Sequence, residues 1–147
     1  MKTAWNDADY QELCTRLGRL QASASPKWGR MTAPQMLCHC TDALRMVSGA
    51  VPTAPKNVPI RFPPLKQLII YWLPWPKGVP TAPELLARAP SEWHGELVTL
   101  REELAALVKR GRSGPFVPHP AFGRLTPRAW GVLVYRHLDH HLRQFGV

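Results

Sequence analysis

The residues best suited to chemistry in this sequence are three histidines on two predicted helices. His137 and His141 are four residues apart, so on an α-helix both rings lie on one face, close enough to share a metal ion. At about 100° of rotation per residue, both fall in the middle of an apolar stripe. His39 falls between Ala43 and Met46 inside the apolar arc of another helix. The spacing therefore predicts three imidazoles that face one core.

A single inward histidine is more often a hydrogen-bonded core residue than a metal ligand, and this applies to His39 taken alone. Three buried imidazoles that do not share a ligand each need a separate hydrogen-bond partner. One divalent metal ion instead satisfies one nitrogen on every ring. Three protein ligands leave a coordination position open, which is typical of a reactive metal site. All-nitrogen ligation suits zinc, nickel, iron or copper, with manganese also possible, and the order of affinities does not decide among them.

Two further residues are secondary candidates near this site. His140 lies at the edge of the same stripe, where it serves either as a substrate-contacting group or as an exposed surface residue. Cys38 and Cys40 flank His39, but alternate positions on a helix point apart, which argues against a Cys-His-Cys cluster. Cys40 is interpreted as core packing and kept as a weak alternative ligand.

The remaining histidines and the nearby carboxylates are not assigned to chemistry. His94, early on a predicted helix, and His119, in a His-Pro loop, are interpreted as structural or surface residues. Asp42 and Asp139 are predicted to face outward, so the spacing identifies no general base beside the metal.

Four long helices are predicted to position these residues, over 7–22, 33–48, 92–109 and 127–145. Thr32 and Gln35 form a capping-box pattern before the second helix, and Thr126 precedes a proline at the start of the last. Residues 49–90 contain ten of the sixteen prolines and many apolar residues, which predicts an ordered crossover. It includes a short helix near 65–73 and a second capping-box pattern at 81–84.

These features resemble the DinB/YfiT-like metal-binding bundles over nearly the whole chain. The resemblance is carried by His39 together with the run His137-Leu138-Asp139-His140-His141. Additional motifs are similar to a DinB-like subfamily of unknown function: Trp28-Gly29-Arg30-Met31-Thr32, Met36-Leu37-Cys38-His39-Cys40, Pro76-Lys77-Gly78, His119-Pro120-Ala121-Phe122-Gly123-Arg124-Leu125-Thr126 and Trp130-Gly131.

The resemblance implies a single all-α domain, an up-down-down-up four-helix bundle over 1–147 with the long crossover between its second and third helices. It also implies that His39, His137 and His141 ligate a divalent metal, commonly nickel or zinc. The last helix reads His140-His141-Leu142-Arg143-Gln144 where the family often has His-His-Arg-Gly-Gln, so no substrate role passes to an arginine. Characterised members include thiol-dependent transferases and a mycothiol-dependent isomerase.

Composition limits the partners of the chain. A net charge of +9 over 147 residues favours anionic partners, but the basic residues are scattered and the densest cluster, 109–112, ends a predicted helix. Nucleic acid is therefore disfavoured against a small anionic substrate. The three cysteines and the absence of a signal sequence predict a cytoplasmic protein. The longest apolar run, 68–73, is too short to span a membrane.

The resemblance favours a metal-dependent thiol transferase, and the positive charge would help it to gather an anionic low-molecular-weight thiol. A metal-dependent hydrolase is the alternative among enzymes, because a metal ion also lowers the pKa of bound water. A non-enzymatic metal-binding or stress-response interaction module is the alternative from another class. The apolar crossover also allows a homodimer.

Overall fold

The computed structural model describes residues 1–78, 83–86 and 88–147 of the chain. These residues form five α-helices and no β-strand, which confirms the all-α prediction. The helices are α1 Asp7–Arg19, α2 Ala33–Ser48, α3 Leu65–Tyr71, α4 Trp93–Arg110 and α5 Pro127–Gln144. No helix in these described ranges combines the length and the apolar character needed to span a membrane.

The ends of the long helices follow from their capping residues. The Thr32 hydroxyl accepts a hydrogen bond from the Gln35 backbone, and the Gln35 side chain accepts one from the Thr32 backbone, so the predicted capping box is present. Thr126 caps α5, whose first residue is Pro127. The first helix is shorter than predicted because the backbone at Leu20 is extended and ends it three residues early.

Every long helix contributes to one apolar core. The α2 helix packs against α4 and α5, α1 packs against the same two helices, and α3 packs against α5. The most deeply buried aliphatic side chains come from all four long helices: Leu13, Leu17, Leu37, Leu100, Leu104 and Leu138. Each such side chain contributes about 1.5–3 kcal/mol of hydrophobic free energy, so the core fixes how α2 and α5 face each other.

The crossover between α2 and α4 is ordered where it is described. Arg136 of α5 donates hydrogen bonds to the carbonyl oxygens of Ile69, Ile70 and Leu73. The periodicity of α5 puts Arg136 opposite its apolar stripe, but carbonyl oxygens at the C-terminal end of α3 have no helical partners and hold its guanidinium against the crossover. The capping-box pattern of 81–84 begins outside the described residues; Pro83–Leu85 is a 3₁₀ turn.

The prediction that Asp42 faces outward is wrong. Its side chain is buried, and the Arg88 guanidinium from the crossover lies 3.2 Å from its carboxylate. Arg88 also binds the buried Glu96 of α4 through two hydrogen bonds of 2.7 and 3.0 Å. Helical periodicity places Asp42 away from the core, but the crossover folds over it and supplies the compensating charge. Asp139 is partly buried and forms ion pairs with Arg16 and Arg143.

Candidate metal centre

Helices α2 and α5 bring three predicted ligands together. One ring nitrogen from each of His39, His137 and His141 lies within 4.8 Å of the others. The Nε2 atoms of His39 and His137 are 3.0 Å apart. No other histidine, cysteine or carboxylate of the described residues joins this group. The i, i+4 spacing on α5 thus produces the predicted arrangement, with the third imidazole contributed across the helix interface.

Two of the rings are oriented by hydrogen bonds on the side away from the cluster. His39 Nδ1 lies 3.2 Å from the carbonyl oxygen of Leu85, so Nδ1 carries the proton and Nε2 presents its lone pair. Gln144 donates its amide N–H to the carbonyl oxygen of Trp28, which directs its amide oxygen toward His141 Nδ1 at 2.8 Å. His141 therefore also carries its proton on Nδ1 and offers Nε2.

All three rings are held in the neutral form that ligation requires. Burial lowers the pKa of His39. Burial, with the neighbouring His39 ring, lowers the pKa of His141 to about 3. Burial together with the other two rings holds the pKa of His137 well below its usual value of 6.5.

The residues present fit a divalent metal ion. The hydrogen bonds of Leu85 and Gln144 leave unprotonated Nε2 atoms on His39 and His141, two donors of the type that zinc, nickel, iron and copper accept. Among the described residues, the lone pair of His39 Nε2 has one hydrogen-bond donor, which is the N–H of His137 when its proton lies on Nε2. A cation between the rings satisfies these lone pairs at once, which is the chemistry that the donor set suits.

Comparison with known protein families gives one match. The model of a family described as a protein of unknown function, DUF1569, matches residues 4–146. The chain belongs to this DUF1569 family. Neither the search of curated proteins nor the search of solved structures found a match. The DinB-like relationship therefore stays a prediction for this DUF1569 protein.

The secondary candidates lie at different depths in the DUF1569 chain. His140 is partly buried, and its ring centroid is 5.3 Å from that of His141 and 5.5 Å from that of Trp28. It thus lies beside the three converging rings. Cys40 is fully buried with its sulfur 3.6 Å from Met36 Sδ, and burial raises the pKa of its thiol. The structure places Cys40 in the packed core.

The other two histidines of the DUF1569 chain lie outside the cluster. His94 is exposed on α4. His119 Nδ1 accepts hydrogen bonds from the backbone N–H groups of Ala121 and Phe122, both at 3.1 Å. His119 is thus a structural residue of the turn before α5.

Three contacts of the DUF1569 site were not predicted from the sequence. They join Gln144 to His141, the Leu85 carbonyl oxygen to His39, and Trp75 to His137. Gln144 could have been found, since it follows His141 by three residues and therefore shares its helix face. The carbonyl oxygen of Leu85 has no side-chain signature. The ring of Trp75 lies 6.4 Å from His137, but it comes from the crossover, where helical periodicity gives no information.

Proposed function

We propose that this DUF1569 protein binds one divalent metal ion through His39, His137 and His141 and transfers a low-molecular-weight thiol to an electrophilic substrate. The observation that carries the proposal is the convergence of three neutral imidazoles, two of them oriented by hydrogen bonds on the opposite nitrogen. The chemistry that such an ion supplies is Lewis acidity, which lowers the pKa of a thiol or of water.

The surroundings of the histidines favour a small anionic reactant. His39 and His141 are buried while His137 is partly exposed, so a ligand approaches from the His137 side. No carboxylate of the described residues shares the cluster, and the chain carries a net charge of +9, both of which favour a thiolate. In the transfer, the thiol sulfur forms a bond to an electrophilic carbon, the leaving group departs with its electron pair, and the thiol proton goes to solvent.

The architecture that goes with this function is an up-down-down-up bundle of DinB type. Its four long helices would be α1, α2, α4 and α5, with the crossover joining α2 to α4 at opposite ends. The helix pairs that pack together and the resemblance of the histidine motifs support this arrangement. The free cysteines Cys14, Cys38 and Cys40 support a reducing compartment such as the cytoplasm.

The test uses protein loaded with Co²⁺, whose bond to a thiolate gives a charge-transfer absorption band in the near ultraviolet. Mercaptoacetate and glutathione are titrated into the wild-type chain, into His141→Ala and into His94→Ala, the last being an exposed histidine on α4. The proposal expects a saturable band and a higher melting temperature for wild type and His94→Ala, and neither for His141→Ala. A Co²⁺-loaded wild-type protein that shows no band with any thiol would contradict the transferase function.

A further inference from the structure

Four side chains form a series of contacts that begins at His137 and ends at the exposed Lys77. The ring of Trp75 is 6.4 Å from that of His137 and 6.3 Å from that of His140. The ring of Trp28 is 5.5 Å from that of His140 in an edge-on arrangement, and Lys77 Nζ lies 4.7 Å from the centre of the Trp28 ring. We call Trp28, Trp75, Lys77 and His140 the aromatic mouth. It borders the partly exposed side of the cluster.

The indole of Trp75 is fixed before any ligand binds. Its Nε1 donates a 3.2 Å hydrogen bond to the carbonyl oxygen of Ile69. The Arg136 guanidinium lies 5.2 Å from the centre of its ring and is itself held by carbonyl oxygens at the end of α3. Trp72, three residues earlier, is 74% exposed, so this segment does not need to bury every indole it carries. Trp75, unlike Trp72, is held against the histidine cluster.

The loop that carries Trp28 is tied directly to the metal site. Gln144 bonds Trp28 through its side chain and Lys27 through its backbone carbonyl oxygen, each at 2.7 Å. Gly29 has a φ of +79°, and a Cβ at this position would meet Gln144 Nε2 at 2.7 Å, so the close approach requires glycine. Because Gln144 also orients His141, the same side chain holds both Trp28 and one of the three histidines.

The mouth offers interactions that the protein itself leaves unused. Within the described part of the chain, the Trp28 Nε1 atom is buried without a hydrogen-bond acceptor. Lys77 is exposed and has no carboxylate within salt-bridge distance among the same residues. An unsatisfied buried donor is costly, and an ammonium over an indole attracts a negative charge. Flat rings and one free cation thus lie side by side.

We propose that the aromatic mouth binds a planar aromatic substrate that carries an anionic group. The aromatic ring packs against Trp75 and Trp28, the anionic group pairs with Lys77, and the reactive end points to the three histidines. This inference rests on the proposed function, because it assigns the substrate class of the same site. The centroid distances of 5.5–6.4 Å are those of aromatic rings in direct contact, so the ligand ring packs on the outer faces of Trp75 and Trp28.

The experiment measures dissociation constants of three thiols for the Co²⁺-loaded protein from the charge-transfer band. 4-Mercaptobenzoate has the ring and the carboxylate, mercaptoacetate lacks the ring, and 4-methylbenzenethiol lacks the carboxylate. Intrinsic thiol acidity differs among them, so the decisive quantity is the change between variants for each thiol. Trp75→Ala and Lys77→Met are compared with Trp72→Ala and Lys109→Met, which alter exposed residues elsewhere.

The expected pattern separates the ring from the charge. Trp75→Ala weakens both aromatic thiols about fivefold or more and leaves mercaptoacetate within twofold. Lys77→Met weakens 4-mercaptobenzoate about threefold or more and leaves 4-methylbenzenethiol unchanged. Both control variants match wild type. Equal changes for all three thiols, or no change in either variant, would overturn the aromatic mouth; Lys77 is exposed, so its variant tests the proposal even if Trp75→Ala fails to fold.

Calorimetry with 4-methylbenzoate, which has no thiol, distinguishes failure of this inference from failure of the proposed function. Binding to the Co²⁺-loaded wild type that weakens at least fivefold in Trp75→Ala supports the mouth even if no thiol gives a band. In that case the thiol transferase is wrong and the aromatic substrate site stands. Equal affinity for wild type and Trp75→Ala overturns the mouth, whatever the thiols do.

Discussion

Gln144 shows how much one residue next to a ligand contributes at the scale of single side chains. It accepts a hydrogen bond from His141 and donates one to Trp28, so a single amide fixes a ligand and a loop. Groups that orient metal-binding histidines typically change metal affinity by 10- to 100-fold. Gln144 therefore belongs to the candidate metal centre together with the three histidines.

We predict that Gln144→Ala lowers the affinity for Zn²⁺ about 10- to 100-fold, measured by competition with a chromogenic chelator. Gln144→Glu keeps an acceptor for His141 and loses only the donor to Trp28, so it should retain more affinity than the alanine variant. Gln67→Ala, at an exposed position on α3, is the matched control. Equal affinity of Gln144→Ala and Gln67→Ala would show that His141 is positioned by packing alone.

Some residues of the site can be predicted from the sequence, and others cannot. His39, His137 and His141 were predictable because helical periodicity assigns each ring to an apolar face. The carbonyl oxygen of Leu85 was not, because every residue has one and only the path of the crossover selects it. Trp75 escaped prediction for the same reason, as its approach to His137 depends on how Arg136 holds the end of α3.

His119 should make stability depend on pH. Burial, with Lys56 nearby, lowers the pKa of His119 from 6.5 to about 4 in the folded protein. Between these values the unfolded chain takes up a proton that the folded chain refuses, so stability falls as pH drops from 6.5 to 4. The contribution of His119 amounts to about 3 kcal/mol at most.

We predict that His119→Asn reduces this acid sensitivity, because the Asn side-chain oxygen replaces Nδ1 as acceptor for the backbone of Ala121 and Phe122 and does not titrate. Urea unfolding at pH 7.5, 6, 5 and 4.5 should show a shallower decline in the free energy of unfolding than in wild type. Loss of ring packing lowers stability equally at every pH, so the slope carries the test. Parallel curves would contradict the assignment.

At the scale of elements, Arg88 joins the crossover to two helices. Its guanidinium bridges Asp42 on α2 and Glu96 on α4, and it lowers the pKa of Glu96 to about 2. Because that pKa is depressed from 4.5, the stabilisation is complete above pH 4.5 and is lost as pH falls toward 2. The Leu85 carbonyl that orients His39 lies on the same segment, so the charge network also supports the metal centre.

We predict that Arg88→Met lowers the free energy of unfolding by about 2–3 kcal/mol at pH 7, because it leaves a buried carboxylate unpaired; the value is reduced for the partial exposure of Arg88. The loss should shrink below pH 4.5. Arg143→Met removes an arginine whose side chain is 71% exposed, and should change stability by less than about 0.5 kcal/mol. Similar losses for the two variants would mean that the Arg88 network adds nothing beyond a surface ion pair.

The helices themselves were largely predictable, including the short α3 near the predicted 65–73, but the contacts that the crossover makes were not. The caps at Thr32 and Thr126 fixed the starts of α2 and α5 because each uses local hydrogen bonds that neighbouring residues specify. The burial of Asp42 and Glu96 depends on Arg88, which lies 46 and 8 residues away in sequence. Contacts between the crossover and the two helices leave no periodic pattern in the sequence of either helix.

At the scale of the whole molecule, the charge of the chain favours the small anionic reactant that we propose. The net charge of +9 attracts anions from a distance, and the proposed aromatic mouth links the Trp75 ring beside His137 to the Lys77 ammonium over Trp28. The exposed Phe62 and Trp72 of the crossover are compatible with the predicted homodimer, which stays a prediction. Membership of the DUF1569 family assigns no activity, so the hypothesis about function rests on the histidine site.

The most direct test of the central claim is the metal content of protein purified without an affinity tag, incubated with Zn²⁺ or Ni²⁺, desalted and analysed by mass spectrometry. Wild type and His94→Ala should retain about one equivalent per chain, and His39→Ala and His141→Ala less than about a tenth of that. Circular dichroism confirms that each variant remains helical. Full metal content in His39→Ala or His141→Ala, or none in wild type, would contradict the metal centre.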